Sequence, residues 1–105
     1  MKIIFCREAQ TISDYEIEDF FEKHKNAGED DEIKISNWVL LYRFRVAVKL
    51  KEIEPFQFDV IDFDGNLYAG ECDEEGRLDD LTMRSVYQAK VMCLEEKYLN
   101  ILIGI

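Results

Sequence analysis

Near the middle of the chain, Asp64-Gly65-Asn66 stands between two runs that both read as strands, and no other stretch constrains the fold as much. A tight hairpin turn needs positive φ values, which Gly and Asn adopt at little cost. Ahead of the triplet, Phe56, Phe58 and Val60 alternate with Gln57 and Asp59, and the run continues to Phe63. Residues 67–72 make the return strand. Pro55 marks the start, because it has no amide for a sheet ladder and restricts the residue before it. An antiparallel pair is therefore predicted over 56–72.

Upstream, Ser13 followed three residues later by Glu16 is a capping box, with Ile12 and Ile17 at the two positions of a hydrophobic staple. Asp14, Glu16 and Glu18 sit at the positive end of the helix dipole, and Lys23 and Lys25 near its negative end. Gly28 is the expected left-handed C-terminal cap. A helix follows over 14–26, with Ile17, Phe20, Phe21 and His24 on its inward stripe. Residues 2–6 form a compact apolar run and read as a buried strand.

In 38–50 every second residue is apolar: Trp38, Leu40, Tyr42, Phe44, Val46, Val48 and Leu50. Period two predicts a strand there, against a competing helix with a stripe through Leu40, Phe44 and Ala47. A second helix is expected from Asp79 or Asp80, carrying Met83, Tyr87, Val91, Leu94 and Tyr98 on one stripe. Residues 101–105, apolar apart from their backbone, read as a closing strand. The expected fold is a single α+β domain over 1–105 in the order β-α-β-β-β-α-β. Its sheet is mainly antiparallel, with the two amphipathic helices packed on one face.

A length of 105 residues suits one domain, and 48% apolar with 12% aromatic residues is too much hydrophobic material for a disordered acidic chain. No apolar run approaches the roughly 18 to 20 residues that span a bilayer, so membrane insertion is not expected and a cytoplasmic location is. Cys6, Cys72 and Cys93 are far apart, form no C-x-x-C pair and accompany a single histidine, His24. That argues for a reducing compartment and against a zinc site, which would need all three thiols and His24 together. Asp62, Asp64, Asn66 and Asp73 resemble a calcium loop only superficially: Leu67 stands where that loop requires Gly, and Asp73 where it requires a bidentate Glu. No Gly-rich phosphate loop, nucleophile elbow or H-E-x-x-H occurs, so neither an enzyme nor a cofactor or metal is expected.

Charge is the informative property. The net charge of -10 is segregated along the chain. Residues 14–32 carry nine carboxylates against two lysines, and residues 52–80 carry eleven against Arg77 alone. Between them, residues 33–51 hold Lys34, Arg43, Arg45, Lys49 and Lys51 with no acid. The simplest account is solvation, with basic and acidic strands pairing laterally, Arg43 or Arg45 against Asp59 for instance. Two dense acidic loops, 29–32 and 71–80, would remain. Such a field repels nucleic acid and anionic membrane and attracts basic proteins.

The leading functional expectation is therefore a non-enzymatic inhibitor that masks the basic nucleic-acid-binding surface of a partner, such as a nuclease. Phage anti-defence proteins of the anti-CRISPR kind and nuclease-immunity proteins act in this way, since carboxylates on a rigid scaffold can stand in for phosphates. The residues expected to meet the partner are Glu29, Asp30, Asp31, Glu32, Glu71, Asp73, Glu74, Glu75, Asp79 and Asp80, with Trp38 as an aromatic anchor. Two alternatives follow from other features. One is a homodimeric assembly module buried through Trp38, Val39 and Leu41. The other is a small ligand- or calcium-binding protein.

Overall fold

The computed structural model describes residues 1–6, 8–62, 64–78, 101 and 102. Strand β1 (Lys2–Phe5) leads through a loop and a 3-10 turn (Asp14–Glu16) into helix α1 (Ile17–His24). Strand β2 (Glu32–Ile35), helix α2 (Trp38–Lys49) and the hairpin strands β3 (Gln57–Ile61) and β4 (Leu67–Glu71) follow. The sheet is mixed, in the order β2-β1-β3-β4. β1 runs parallel to both of its neighbours, and β3 and β4 are antiparallel. The architecture is α+β as expected, while the predicted element order and the mainly antiparallel sheet match it only in part.

The main correction is 38–50, which is helix and not strand. Asn37 starts α2: its side-chain oxygen accepts the amides of Val39 at 2.8 Å and Leu40 at 3.1 Å, satisfying two donors that a helix N-terminus leaves orphaned. Leu40, Leu41, Phe44, Ala47 and Val48 then fall on one buried face. A helix can bury these five together. A strand would have sent Leu41 to the opposite face from Leu40. The second correction is Glu32, assigned to a loop but forming the first residue of β2, where Glu-Ile-Lys-Ile alternates exposed and buried.

Local predictions elsewhere fare better. The Glu16 carboxylate accepts the Ser13 amide at 3.3 Å, and Ile12 and Ile17 are buried in one cluster. The hairpin turns at Gly65, whose φ is +85°. Gly28 is a correction: the left-handed glycines among the described residues are Gly65 and Gly76, while Gly28 donates its amide to the Asp31 carboxylate at 2.7 Å. The predicted helix from Asp79 or Asp80 lies outside the described residues. Of the predicted closing strand only Ile101 and Leu102 are described, and both are helical and exposed.

Both helices cover one face of the sheet. Ile3, Phe5, Ile33, Ile35, Phe58 and Val60 project from that face into a core shared with Ile17 and Phe21 of α1 and the buried stripe of α2. Phe21 and Phe44 meet edge to face with ring centroids 5.2 Å apart, a geometry the aromatic quadrupole favours. Because β1 lies between β2 and β3 while α1 and α2 share a face, the two parallel crossovers have opposite hands. One of them is therefore of the uncommon left hand. On the other face, Ile4, Cys6 and Ala9 form a smaller cluster with Ile61. Asp59 is buried beside them, held by Lys2 Nζ at 3.3 Å and Gln57 Nε2 at 3.3 Å.

Candidate functional site

The parallel register decides where the acidic blocks go. Glu32, Lys2, Gln57 and Glu71 pair in one row across β2, β1, β3 and β4. The loop before β2 and the loop after β4 therefore leave the same end of the sheet, about 14 Å apart at three strand spacings. The segment 52–55, which enters β3 from that end, lies between them and adds Glu52 and Glu54, both exposed. Sequence reasoning missed these two because they follow the misassigned segment 38–50. The Lys-Glu-Ile-Glu-Pro run at 51–55, read as the exit from a helix, would have flagged them.

The acidic residues of this end do different things. Asp31 and Asp73 build turns: Asp73 accepts the amides of Glu75 and Arg77, each at 2.9 Å, in the same way that Asp31 accepts Gly28. Glu32 lies 3.8 Å from Lys2, and Glu75 pairs with Lys49. The hydrogen bond and the charge of Lys49 hold the Glu75 carboxyl below its ordinary value. Glu29, Asp30, Glu54, Glu71 and Glu74 are exposed and make no ion pair among the described residues. Asp79 and Asp80 lie outside the described residues.

Three members of the basic block, Arg43, Arg45 and Lys49, are engaged locally, with partners other than those predicted. Arg43 reaches Glu18 at 2.9 Å and Glu52 at 3.2 Å, and its guanidinium lies 3.8 Å from the Phe21 ring centroid. Arg45 donates from Nε to the Gly76 carbonyl at 2.9 Å. Neither meets Asp59, which pairs with Lys2, because α2 stands on the helical layer and not beside β3. Together, Arg45 and Lys49 strap loop 72–78 onto α2. Gly76 permits the approach: an added Cβ would stand 2.4 Å from the Arg45 carbonyl oxygen.

Two adjoining depressions mark the acidic end. One, of about 410 Å³, is lined by Met1, Lys25, Ala27, Glu29, Lys51 and Glu54 among others. The second, of about 290 Å³, shares Lys51, Ile53, Glu54 and Pro55 with it and adds Glu74. Residues of both acidic blocks thus border one continuous surface. Trp38 is elsewhere: it opens α2, half-buried, with its ring edge to face against Phe5 at 6.3 Å and Tyr42 at 5.9 Å.

Asp62, the first position of the calcium-like pattern, is occupied by its own turn. Its carboxylate accepts from the Asp64 amide at 2.9 Å, the Asn66 amide at 2.8 Å, Asn66 Nδ2 at 3.2 Å and the Tyr68 hydroxyl at 3.2 Å. Among the described residues no group of three or more His, Cys, Asp or Glu side chains is placed to hold a metal ion. Cys6 and Cys72 are buried free thiols, and burial pushes Cys72 up to about 11, so it stays protonated at neutral pH. Among the described residues no helix is long and apolar enough to cross a membrane. No protein-family model, curated protein or solved structure matches the chain.

Proposed function

We propose that this protein is a non-enzymatic binding protein whose acidic end docks on the basic, nucleic-acid-binding surface of another protein and masks it. The supporting observation is the single cross-strand row that brings Glu32 and Glu71 to the same end of a rigid sheet. Around it, Glu29, Asp30, Glu54, Glu71 and Glu74 present exposed carboxylates that make no ion pair among the described residues. Carboxylates held on a scaffold meet Lys and Arg forks as phosphates do, and their field speeds encounter. Phage anti-defence and nuclease-immunity roles belong to this class of activity.

The test is capture of basic proteins at low and high salt by the wild-type protein and by two charge reversals, Glu29→Lys with Asp30→Lys and Glu71→Lys with Glu74→Lys. Wild type should retain basic proteins that salt releases, and each reversal should lose them with its thermal unfolding unchanged. Retention of the same proteins by both reversals refutes the proposal.

A second reading, a homodimeric module, draws on a different surface. Val39, Tyr42, Val46 and Leu50 form a half-exposed stripe along the outer side of α2. Leu41, assigned to such a contact from the sequence, is instead in the core with 1% exposure. Sedimentation over a range of concentrations separates the two: a dimer that resists dilution favours the module.

A further inference from the structure

The described sheet ends on β4, and the backbone on that side is open. At the two ends of the β3–β4 ladder the Asp62 amide bonds to the Asn66 carbonyl at 3.0 Å and the Cys72 amide to the Phe56 carbonyl at 2.9 Å. The register between them is unbroken, and in an antiparallel ladder bonded and non-bonded pairs alternate. Tyr68 and Gly70 therefore bond to β3, while the amides and carbonyls of Leu67, Ala69 and Glu71 point away from the sheet. None of these three makes a hydrogen bond across the free edge among the described residues. Natural sheets guard such an edge with lysine, proline, a bulge or a covering segment. The opposite edge strand, β2, alternates exposed Glu32 and Lys34 with buried isoleucines. β4, Leu-Tyr-Ala-Gly-Glu, has no lysine or proline, pairs with β3 without a bulge, and leaves Leu67 62% exposed.

Charge decides what suits the edge. Residues 52–76 contain no lysine or arginine. Asp64 is exposed at the turn end of β4, Glu71 and Glu74 are exposed at the other, and none of the three makes an ion pair among the described residues. Of the cations around the hairpin, Lys2 is held by Asp59 and Glu32 and Lys49 by Glu75, and Arg77 follows on the loop beyond. A second copy is a poor occupant: laid antiparallel along β4, it sets Glu71 and Glu74 of one protomer toward Asp64 of the other.

We propose that the free edge of β4 takes up an extended, lysine- or arginine-bearing segment of a partner protein as a fifth strand, a basic side chain set against Glu71 and an apolar one beside Leu67. The inference rests on the reading of the partner as a basic protein. In strand addition main-chain bonds hold the segment and alternate side chains select it. Glu71 and Leu67 lie on one face of β4, so the two selected side chains stand four positions apart in the segment. On the face toward the helices, Gly70 leaves room beside Tyr68 for a large partner side chain, the kind of cross-strand contact that stabilises sheets.

The probe is a short synthetic peptide of alternating valine and threonine with lysines at one end. It is compared with a version carrying glutamates for the lysines and with one whose alternate amides are N-methylated on both edges. Affinity is read by fluorescence anisotropy at low salt, and amide hydrogen exchange of the whole protein by NMR. The lysine peptide should bind and slow exchange at Leu67, Ala69 and Glu71, whereas Tyr68 and Gly70 are slow without it. Ala69→Pro removes an amide that points outward and spares the bonds to β3, so it should weaken binding by about tenfold with unfolding unchanged, whereas Ala69→Thr keeps the amide and should bind as wild type does. Should Ala69→Pro fail to fold, the N-methylated peptide carries the same test from the other side, with the same loss expected. Binding that leaves the three amides unprotected, or that survives N-methylation, overturns the fifth strand but not the acidic end as a binding surface. Equal binding of the glutamate peptide overturns the basic partner. Failure of the lysine peptide to bind overturns the proposal, as does protection of the three amides that grows with protein concentration alone, which identifies a second copy as the occupant.

Discussion

Replacing Gly76 with alanine tests how the loop after β4 is held. Gly76 is buried, its φ is +74°, and an added Cβ would stand 2.4 Å from the Arg45 carbonyl oxygen and 3.2 Å from the Arg45 carbonyl carbon. Those atoms belong to the backbone of α2 and cannot rotate away, so the loop must move. An alanine in the left-handed region costs about 1–2 kcal/mol. Displacing the loop also stretches the Arg45–Gly76 bond, worth about 1–2 kcal/mol for a partly exposed charged donor, and loosens the exposed Lys49–Glu75 pair. The expected loss is about 2–4 kcal/mol.

Gly65→Ala is the internal reference. Gly65 has the same kind of backbone at φ of +85° but nothing within 4 Å of an added Cβ, so only the conformational cost of about 1–2 kcal/mol applies. Urea unfolding followed by far-ultraviolet circular dichroism and by the fluorescence of the single tryptophan, Trp38, yields both values. If Gly76→Ala costs no more than Gly65→Ala, the close approach of loop 72–78 to α2 is not what holds the loop, and the reasoning fails.

Three further outcomes are expected. Asn37→Ala should destabilise the fold by about 1–2 kcal/mol, because it removes the cap of α2 together with the donor bond to the Ile12 carbonyl at 3.2 Å; a change in urea midpoint too small for 0.5 kcal/mol would contradict it. Lys51→Gly should raise stability by roughly 0.5–1 kcal/mol, the left-handed strain at φ of +60° relieved less the added freedom of glycine in the unfolded chain. A lower midpoint would show that the lysine contributes packing. Asp62 has a pH signature. Desolvation acts to raise its pKa, but the hydrogen bonds from Asn66, Tyr68 and the Asp64 amide outweigh it and hold the carboxyl below 3.8. A depressed native pKa contributes stability that is present above the unfolded value and lost as pH falls through the native one. The Tm gap between wild type and Asp62→Asn should therefore be constant near neutral pH and narrow only below about pH 4; a gap independent of pH down to 2.5 would refute the assignment.

How far the fold could be read in advance differed by element, for reasons visible at particular residues. The capped entry to α1 and the 57–71 hairpin were legible because Ser13, Glu16, Asp64 and Gly65 act on neighbours within a few positions. Segment 38–50 was misread because Trp38, Leu40, Tyr42 and Phe44 satisfy period two, while Leu40, Leu41, Phe44, Ala47 and Val48 satisfy the helical period. Asn37 was the overlooked local signal. The ten proposed acidic contacts were half of an argument: their density was plain, but their spatial relation depended on Lys2 pairing with both Glu32 and Gln57, residues far from it in the chain.

By itself the sequence determined the local chemistry: a turn at Gly65, a capped helix from Ser13, a break at Pro55, and carboxylates gathered in two blocks around one basic segment. Only the tertiary structure decided that the basic segment is a helix whose Arg43, Arg45 and Lys49 reach Glu18, Glu52, Gly76 and Glu75. Only it brought part of each acidic block, the segments around Glu32 and Glu71, to one end of the sheet, with Asp62 and Asp64 at the other. The physical reason is register: with β1 parallel to β2 and β3, and β4 antiparallel to β3, Glu32 and Glu71 fall in one row. Strand pairing is a long-range choice, settled by burying Ile3, Phe5, Ile33, Phe58 and Val60 against α1 and α2.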